Sequence, residues 1–148
     1  MATTPRVPQT AVVDTCVILD MFLKGRPRHF AAKSLWDCLT HDKTRIVIPF
    51  TGLFEGIASL TREKAHHGGL KPDNVSPEFS LIPIDDAFYM KYRKETYPPL
   101  RTGDLLFFLI AERDNCPLIT EDDELYVVSK AAHIRVFRIA EYTAEYGP

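Results

Sequence analysis

The sequence predicts an α/β sandwich around a mainly parallel sheet. Short β-rich apolar runs alternate with segments of helical period, in the order β-α-β-α-β-α-α-β-α-β. The first run, Ala11 to Leu19 (AVVDTCVIL), is almost continuously apolar, as strands covered on both faces are. The chain has 148 residues, 45% hydrophobic and 26% charged, with no repeat, low-complexity tract or linker. That excludes a disordered, collagen-like or coiled-coil chain and leaves one domain, residues 11–148, behind a flexible polar segment, 1–10.

The elements follow in order. Ala11–Leu19 reads as the first strand. Lys24–His29 (KGRPRH) is a cationic Gly/Pro loop, and Phe30–Leu39 has its apolar residues at helical spacing. Arg45–Pro49 is a short strand. Phe50, Leu53, Phe54, Ile57 and Leu60 then form an apolar stripe on a helix running to His66, ended by Gly68-Gly69. A strand at Ser80–Ile84 precedes a helix from Ala87 to about Tyr97, capped by Asp85 or Asp86 and stopped by Pro98-Pro99. Thr102 opens a helix through Asn115. Pro117–Thr120 is a strand, Asp122–Ala132 a helix and Ile134–Ile139 a final strand.

The longest apolar run, Leu105–Ala111, is too short to span a bilayer, and the N-terminus lacks the apolar core of a secretion signal. Cys16, Cys38 and Cys116 make an odd, widely spaced set with no CxxC pair. Together these features place the chain in the cytoplasm with no membrane association. A net charge of −2 argues against a globally basic nucleic-acid binder but leaves room for a local patch.

Four acids stand out by context. Asp14 interrupts the most apolar strand, near the carboxyl edge where open α/β sheets gather ligands; it could equally cap a turn. Asp104 opens a helix that is hydrophobic all round and shares a face with Phe107, Phe108 and Ala111; the alternative is a simple complement to the helix dipole. Asp122 follows a strand in a turn crowded by Glu121, Asp123 and Glu124, which is electrostatically poor without a cation or else merely solvated. Thr120 is placed to cap that helix. Glu55 lies on the flank of its apolar stripe among Gly52, Gly56, Ala58 and Ser59, small neighbours that permit close approach.

Clustered carboxylates suit a hard divalent cation, which wants oxygen ligands and activates water at a phosphodiester. No Cys or His is spaced for zinc, and His66-His67 reads as a solvated loop pair. There is no GxSxG elbow, no GxxxxGK[ST] loop and no GxGxxG after the first strand. Haloacid-dehalogenase phosphatases carry two acids two residues apart after strand one; here the second position is Cys16.

Four ordered pieces resemble the PIN-domain family of metal-dependent ribonucleases. They are Val12-Val13-Asp14-Thr15, Phe54-Glu55, Thr102-Gly103-Asp104 before an apolar helix, and Leu118-Ile119-Thr120-Glu121-Asp122. The resemblance spans about Val12 to Ile139. It implies a three-layer α/β/α sandwich, Rossmann-like, with an acidic pocket, Mg²⁺ or Mn²⁺, and RNA cleavage. Carried over by position, Asp14, Glu55, Asp104 and Asp122 are the catalytic and metal-binding acids, with Asp14 and Asp104 the principal ligands. Thr15 and Thr120 flank them, and Asp123 is an alternate for Asp122. The compact size resembles VapC-type toxins, which implies an antitoxin partner and a homodimer. Phe22, Leu23, Trp36 and Phe54 are candidates for that surface, although ordinary core packing is the better account of any one of them. The Pro-rich stretch from Gly68 to Pro77 and the Tyr97-Pro98-Pro99 stop depart from the pattern. Cations near the pocket would hold the RNA backbone: Lys24, Arg26 and Arg28 after the first strand, and Arg101 before Asp104. A binding-only PIN-like module and a phosphatase-like domain are the competing classes.

Overall fold

The computed structural model describes residues 6–62 and 77–148. Its strands are β1 (Thr10–Val13), β2 (Arg45–Pro49), β3 (Phe79–Ile82), β4 (Leu118–Ile119) and β5 (Val136–Phe137). They form one sheet in the order β3-β2-β1-β4-β5, with every neighbouring pair parallel. The described helices are α1 (Thr15–Phe22), α2 (His29–His41), α3 (Phe50–Arg62), α4 (Asp86–Tyr92), α5 (Thr102–Asp114), α6 (Asp123–Ala131) and α7 (Ile139–Tyr146).

The chain walks outward from β1 to β3, then returns through α4 and α5 to β4. Parallel crossovers are right-handed, so this reversal puts the two sets of helices on opposite faces. Accordingly α1 packs on α2 and α3, and α2 on α7, whereas α5 lies on β1, β2 and β4 with α4 and α6 beside it. The reversal opens a crevice between the carboxyl ends of β1 and β4. The core is the pair of sheet faces: Val12, Val13, Ile46, Leu118 and Ile119 meet Leu35 and Leu39 of α2 and Phe107, Phe108 and Ile110 of α5, all buried.

The apolar run Ala11–Leu19 is two elements, not one strand. Pairing stops at Val13, and Asp14, extended at φ −63° and ψ 145°, is the N-cap residue of α1. The Asp14 carbonyl accepts from Val17 and Ile18 N–H and starts the helix. A buried helix and a buried strand both read as unbroken apolar sequence, so periodicity could not separate them. The expected final strand to Ile139 shortens to Val136–Phe137, and an unexpected helix, α7, begins at Ile139. Glu141 there accepts from Arg138 N–H at 2.7 Å, and Ile139, Tyr142 and Tyr146 supply the buried face. The α4 helix ends at Tyr92 rather than Tyr97, with Arg93 already extended; Asp85 caps it, accepting from Phe88 N–H at 2.9 Å. At the N-terminus, Pro8 and Gln9 accept from the Thr44 hydroxyl and Arg45 N–H, so order begins before Ala11. The helix stop at Gly68-Gly69 and the His66-His67 pair lie outside the described residues.

The α3 helix turns its stripe the other way from expectation. Phe50, Phe54 and Ile57 are exposed, Phe54 by 58%, while Gly52 and Gly56 are buried. The two glycines let α3 lie close on α1. A Cβ at Gly52 would stand 3.1 Å from Thr15 Oγ1 and 3.3 Å from the Phe107 ring. Close backbone approach thus outweighs burial of the aromatic stripe within this chain.

Candidate active site

Asp14 stands where β1 becomes α1. Its N–H donates to Ile119 O at 3.0 Å, which continues the β1–β4 pairing, and its side chain is turned in, only 6% exposed. The Thr120 hydroxyl donates to Asp14 Oδ2 at 2.7 Å, and the Cys16 thiol donates to the same oxygen at 3.0 Å. Thr120 Oγ1 also accepts from Asp122 N–H at 3.0 Å. One buried hydroxyl therefore ties the acid after β1 to the acid after β4. Asp122, not Thr120, is the N-cap of α6, and its Oδ1 accepts from Leu125 N–H at 2.8 Å.

Glu55 arrives from α3. The Thr15 hydroxyl lies 3.4 Å from both Glu55 Oε2 and Gly52 O and links the start of α1 to α3. On its other side the Glu55 carboxylate rests against the backbone of Gly103, where a Cβ would overlap Oε1. Asp104 is the next residue, in the first turn of α5 and half-buried. The acids of four separate elements are thus joined in pairs, Asp14–Asp122 through Thr120 and Glu55–Asp104 across Gly103.

Burial and mutual repulsion show in the protonation of these groups. Desolvation pushes the Asp14 carboxyl up, against the pull of its Cys16 and Thr120 hydrogen bonds. Desolvation, then the Asp14 charge, raises Glu55. Desolvation, then the charges of Asp14, Asp122 and Glu55, pushes Asp104 up to about 6, and Arg101 pulls it back down. Burial and the Asp14 charge hold the Cys16 thiol far above its usual range, so it remains a neutral donor.

The rest of the acidic turn is used locally. Glu121 accepts from Ile139 N–H at 2.8 Å at the start of α7. Asp123, 95% exposed at its side chain, pairs with Arg138 at 2.6 Å. The turn therefore needs no cation to relieve Glu121 and Asp123, and Asp123 points to Arg138 rather than to Asp14. Of the predicted cations, Arg26 and Arg28 sit on a buried acid that the sequence did not single out, Asp20. Lys24 is exposed. Arg101 is exposed at the N-cap of α5, where its charge acts on Asp104. Cys16, Gly103 and Asp20 are the neighbours that sequence reasoning missed. Cys16 hides inside the run misread as a strand, Asp20 follows its last residue, and Gly103 carries no side chain to notice.

All four acids offer hard oxygen donors and three are raised by burial, which a divalent cation would reverse. Among the described residues no three His, Cys, Asp or Glu side chains lie together so as to hold a metal ion by themselves, so an ion here would rest on fewer protein ligands. The donor chemistry fits a hard cation that keeps several waters, as Mg²⁺ does, better than a closed protein cage.

No curated protein matches the chain. Two solved structures share the fold. A PilT N-terminus domain protein from the archaeon Sulfolobus solfataricus P2 is 13% identical, with 91% of each chain covered and a TM-score of 0.54. VapBC2 from Rickettsia felis, bound to a DNA fragment from its promoter, is 15% identical, with 87% of this chain and 98% of that chain covered and a TM-score of 0.57. The PIN domain family matches residues 11–131, a stretch that contains Asp14, Glu55, Asp104 and Asp122. The chain belongs to the PIN domain family.

Proposed function

We propose that this protein is a divalent-metal-dependent endoribonuclease, the toxin of a prokaryotic type II toxin–antitoxin pair acting in the cytoplasm. The observation that carries the reading is that Thr120 joins Asp14 to the backbone of Asp122 at the carboxyl edge of β1 and β4, while Asp104 feels the charges of Asp14, Asp122 and Glu55. Asp14 and Asp104 would be the principal ligands of Mg²⁺ or Mn²⁺, with Glu55 and Asp122 completing the site or holding a second ion or its water. When bound, the ion supplies an acidified water and offsets charge on the phosphodiester. The chain's own part is orientation. Thr120 and Cys16 pin Asp14 Oδ2, and Thr15 with Gly103 sets where the Glu55 carboxylate can lie. Burial and the neighbouring acid charges push Asp104 up to about 6, and a cation beside it would draw it back down. Lys24, Arg28 and Arg101 would hold the RNA backbone, with Arg26 fixing the loop that carries the first two.

The partner reading is supported by the exposed apolar face of α3, where Phe50 and Phe54 pack edge-on with ring centroids 5.3 Å apart. Contiguous apolar surface of this kind suits an antitoxin or a second copy of the chain. The VapBC2 likeness is a likeness to such a pair.

The test is cleavage of mixed structured RNAs by purified protein with Mg²⁺ or Mn²⁺, with EDTA, and with Asp104→Asn. The reading predicts metal-dependent cleavage lost in both controls. Activity that survives Asp104→Asn would overturn the site. No cleavage and no saturable Mn²⁺ binding would make the chain a binding-only module.

A further inference from the structure

Asp20 lies in the middle of α1 and is 1% exposed. Its two carboxylate oxygens are divided between two arginines: Oδ1 accepts from Arg26 Nε at 2.5 Å, and Oδ2 from Arg28 Nε at 2.9 Å. Its carbonyl oxygen lies 2.9 Å from His29 Nδ1, at the first residue of α2. The same acid thus binds the loop between α1 and α2 at three points. The loop is also closed by its own backbone, with Arg26 N–H on Leu23 O and His29 N–H on Arg26 O.

Both arginines use Nε, the inner nitrogen of the guanidinium. Arg28 is 46% exposed at its side chain and is held to Asp20 through Nε. Its terminal nitrogens remain as a fork of donors, the geometry that matches a phosphate. Arg28 is near enough to the pocket for its charge to interact with Glu121, the residue between Thr120 and Asp122. Burying a carboxylate is costly, and fixing two long side chains adds entropy loss, so a loop needing only closure has cheaper means.

We propose that Asp20 is a positioning residue: its buried carboxylate grips Arg28 by Nε and holds the outer edge of the guanidinium beside the acidic pocket for a phosphodiester of the RNA strand. This rests on RNA being the substrate, and it separates Arg28, the contact, from Arg26, the second strut of the loop.

The test is binding, so it does not depend on turnover. A short fluorescein-labelled single-stranded RNA is titrated with the Asp104→Asn protein over a salt series, following anisotropy. Arg28→Ala should weaken binding several-fold and flatten the slope of log Kd against log salt by about 0.7, one phosphate on a single strand. Asp20→Asn should do the same, and adding it to Arg28→Ala should cost nothing more. Arg28→Lys separates gripping from mere charge and leaves Asp20 in place. Lysine carries its charge at a single point with no outer fork, so an Nζ drawn in to the buried Asp20 carboxylate no longer reaches a phosphate, and the slope should fall as it does with alanine. A wild-type slope in Arg28→Lys would show an ordinary surface cation and overturn the role of Asp20. An unchanged slope in Arg28→Ala would overturn the contact while leaving the ribonuclease reading intact. A parent protein that binds no RNA at any salt would overturn both. Melting curves confirm that each variant is folded; if Asp20→Asn is not, Arg28→Lys decides.

Discussion

Asp104 and Thr120 are the residues whose chemistry is most exposed to test. Asp104 holds its proton up to about pH 6 in the folded chain, against 3.8 for the ordinary carboxyl. Between those values the folded state binds more protons than the unfolded one, so this group's contribution to stability falls as pH rises through the window and stays low above it. Asp104→Asn removes the loss. Without metal at pH 7.5 its Tm should exceed the parent's by a few degrees, since about 1 kcal/mol moves a chain of this length by ~3 °C. By pH 4 the gain should vanish, and Mn²⁺ should stabilise the parent but not the variant; a variant less stable than the parent at pH 7.5 would contradict the crowded pocket. Thr120→Val keeps the shape but removes the donor to Asp14 and the acceptor for Asp122 N–H. Such supporting bonds are worth about 10–100-fold in metal affinity, so calorimetric Mn²⁺ titration should show a loss in that range. Thr120→Ser should restore it.

At the scale of elements, two glycines set how α3 meets its neighbours, and they should respond oppositely. Gly103 is in the first turn of α5, where alanine favours the helix by roughly 0.5–1 kcal/mol, but its Cβ would displace the Glu55 carboxylate. Gly103→Ala should keep or raise Tm while lowering Mn²⁺ affinity; unchanged affinity would remove Glu55 from the site. Gly52 packs on Thr15 and Phe107, which cannot recede without moving α1 or α5. Gly52→Ala should therefore cost about 1–3 kcal/mol in denaturant unfolding.

For the whole molecule, the issue is what covers α3. Phe54 is 58% exposed, so Phe54→Asp should change the stability of the isolated chain by no more than about 0.5 kcal/mol. If the face pairs two copies, the same variant should sediment as a monomer at concentrations where the parent self-associates. A large drop in stability would instead mean that the phenylalanine already packs within the chain.

The sequence by itself determined the fold class and the order of its strands and acids. Alternating β and helical runs require a parallel sheet, and a lone carboxylate in an apolar run marks a strand end, as Asp14 shows. These signals are local, carried by neighbours along the chain. Tertiary structure decided what depends on which elements meet. It cut the first run at Asp14, because burial on both sides erases the period that distinguishes strand from helix. It turned Gly52 and Gly56 inward and the α3 aromatics outward, because close packing on α1 needed the small face. It also gave Arg26 and Arg28 to Asp20, a partner six and eight residues away that becomes theirs only once α1 is a helix and the loop folds back over it.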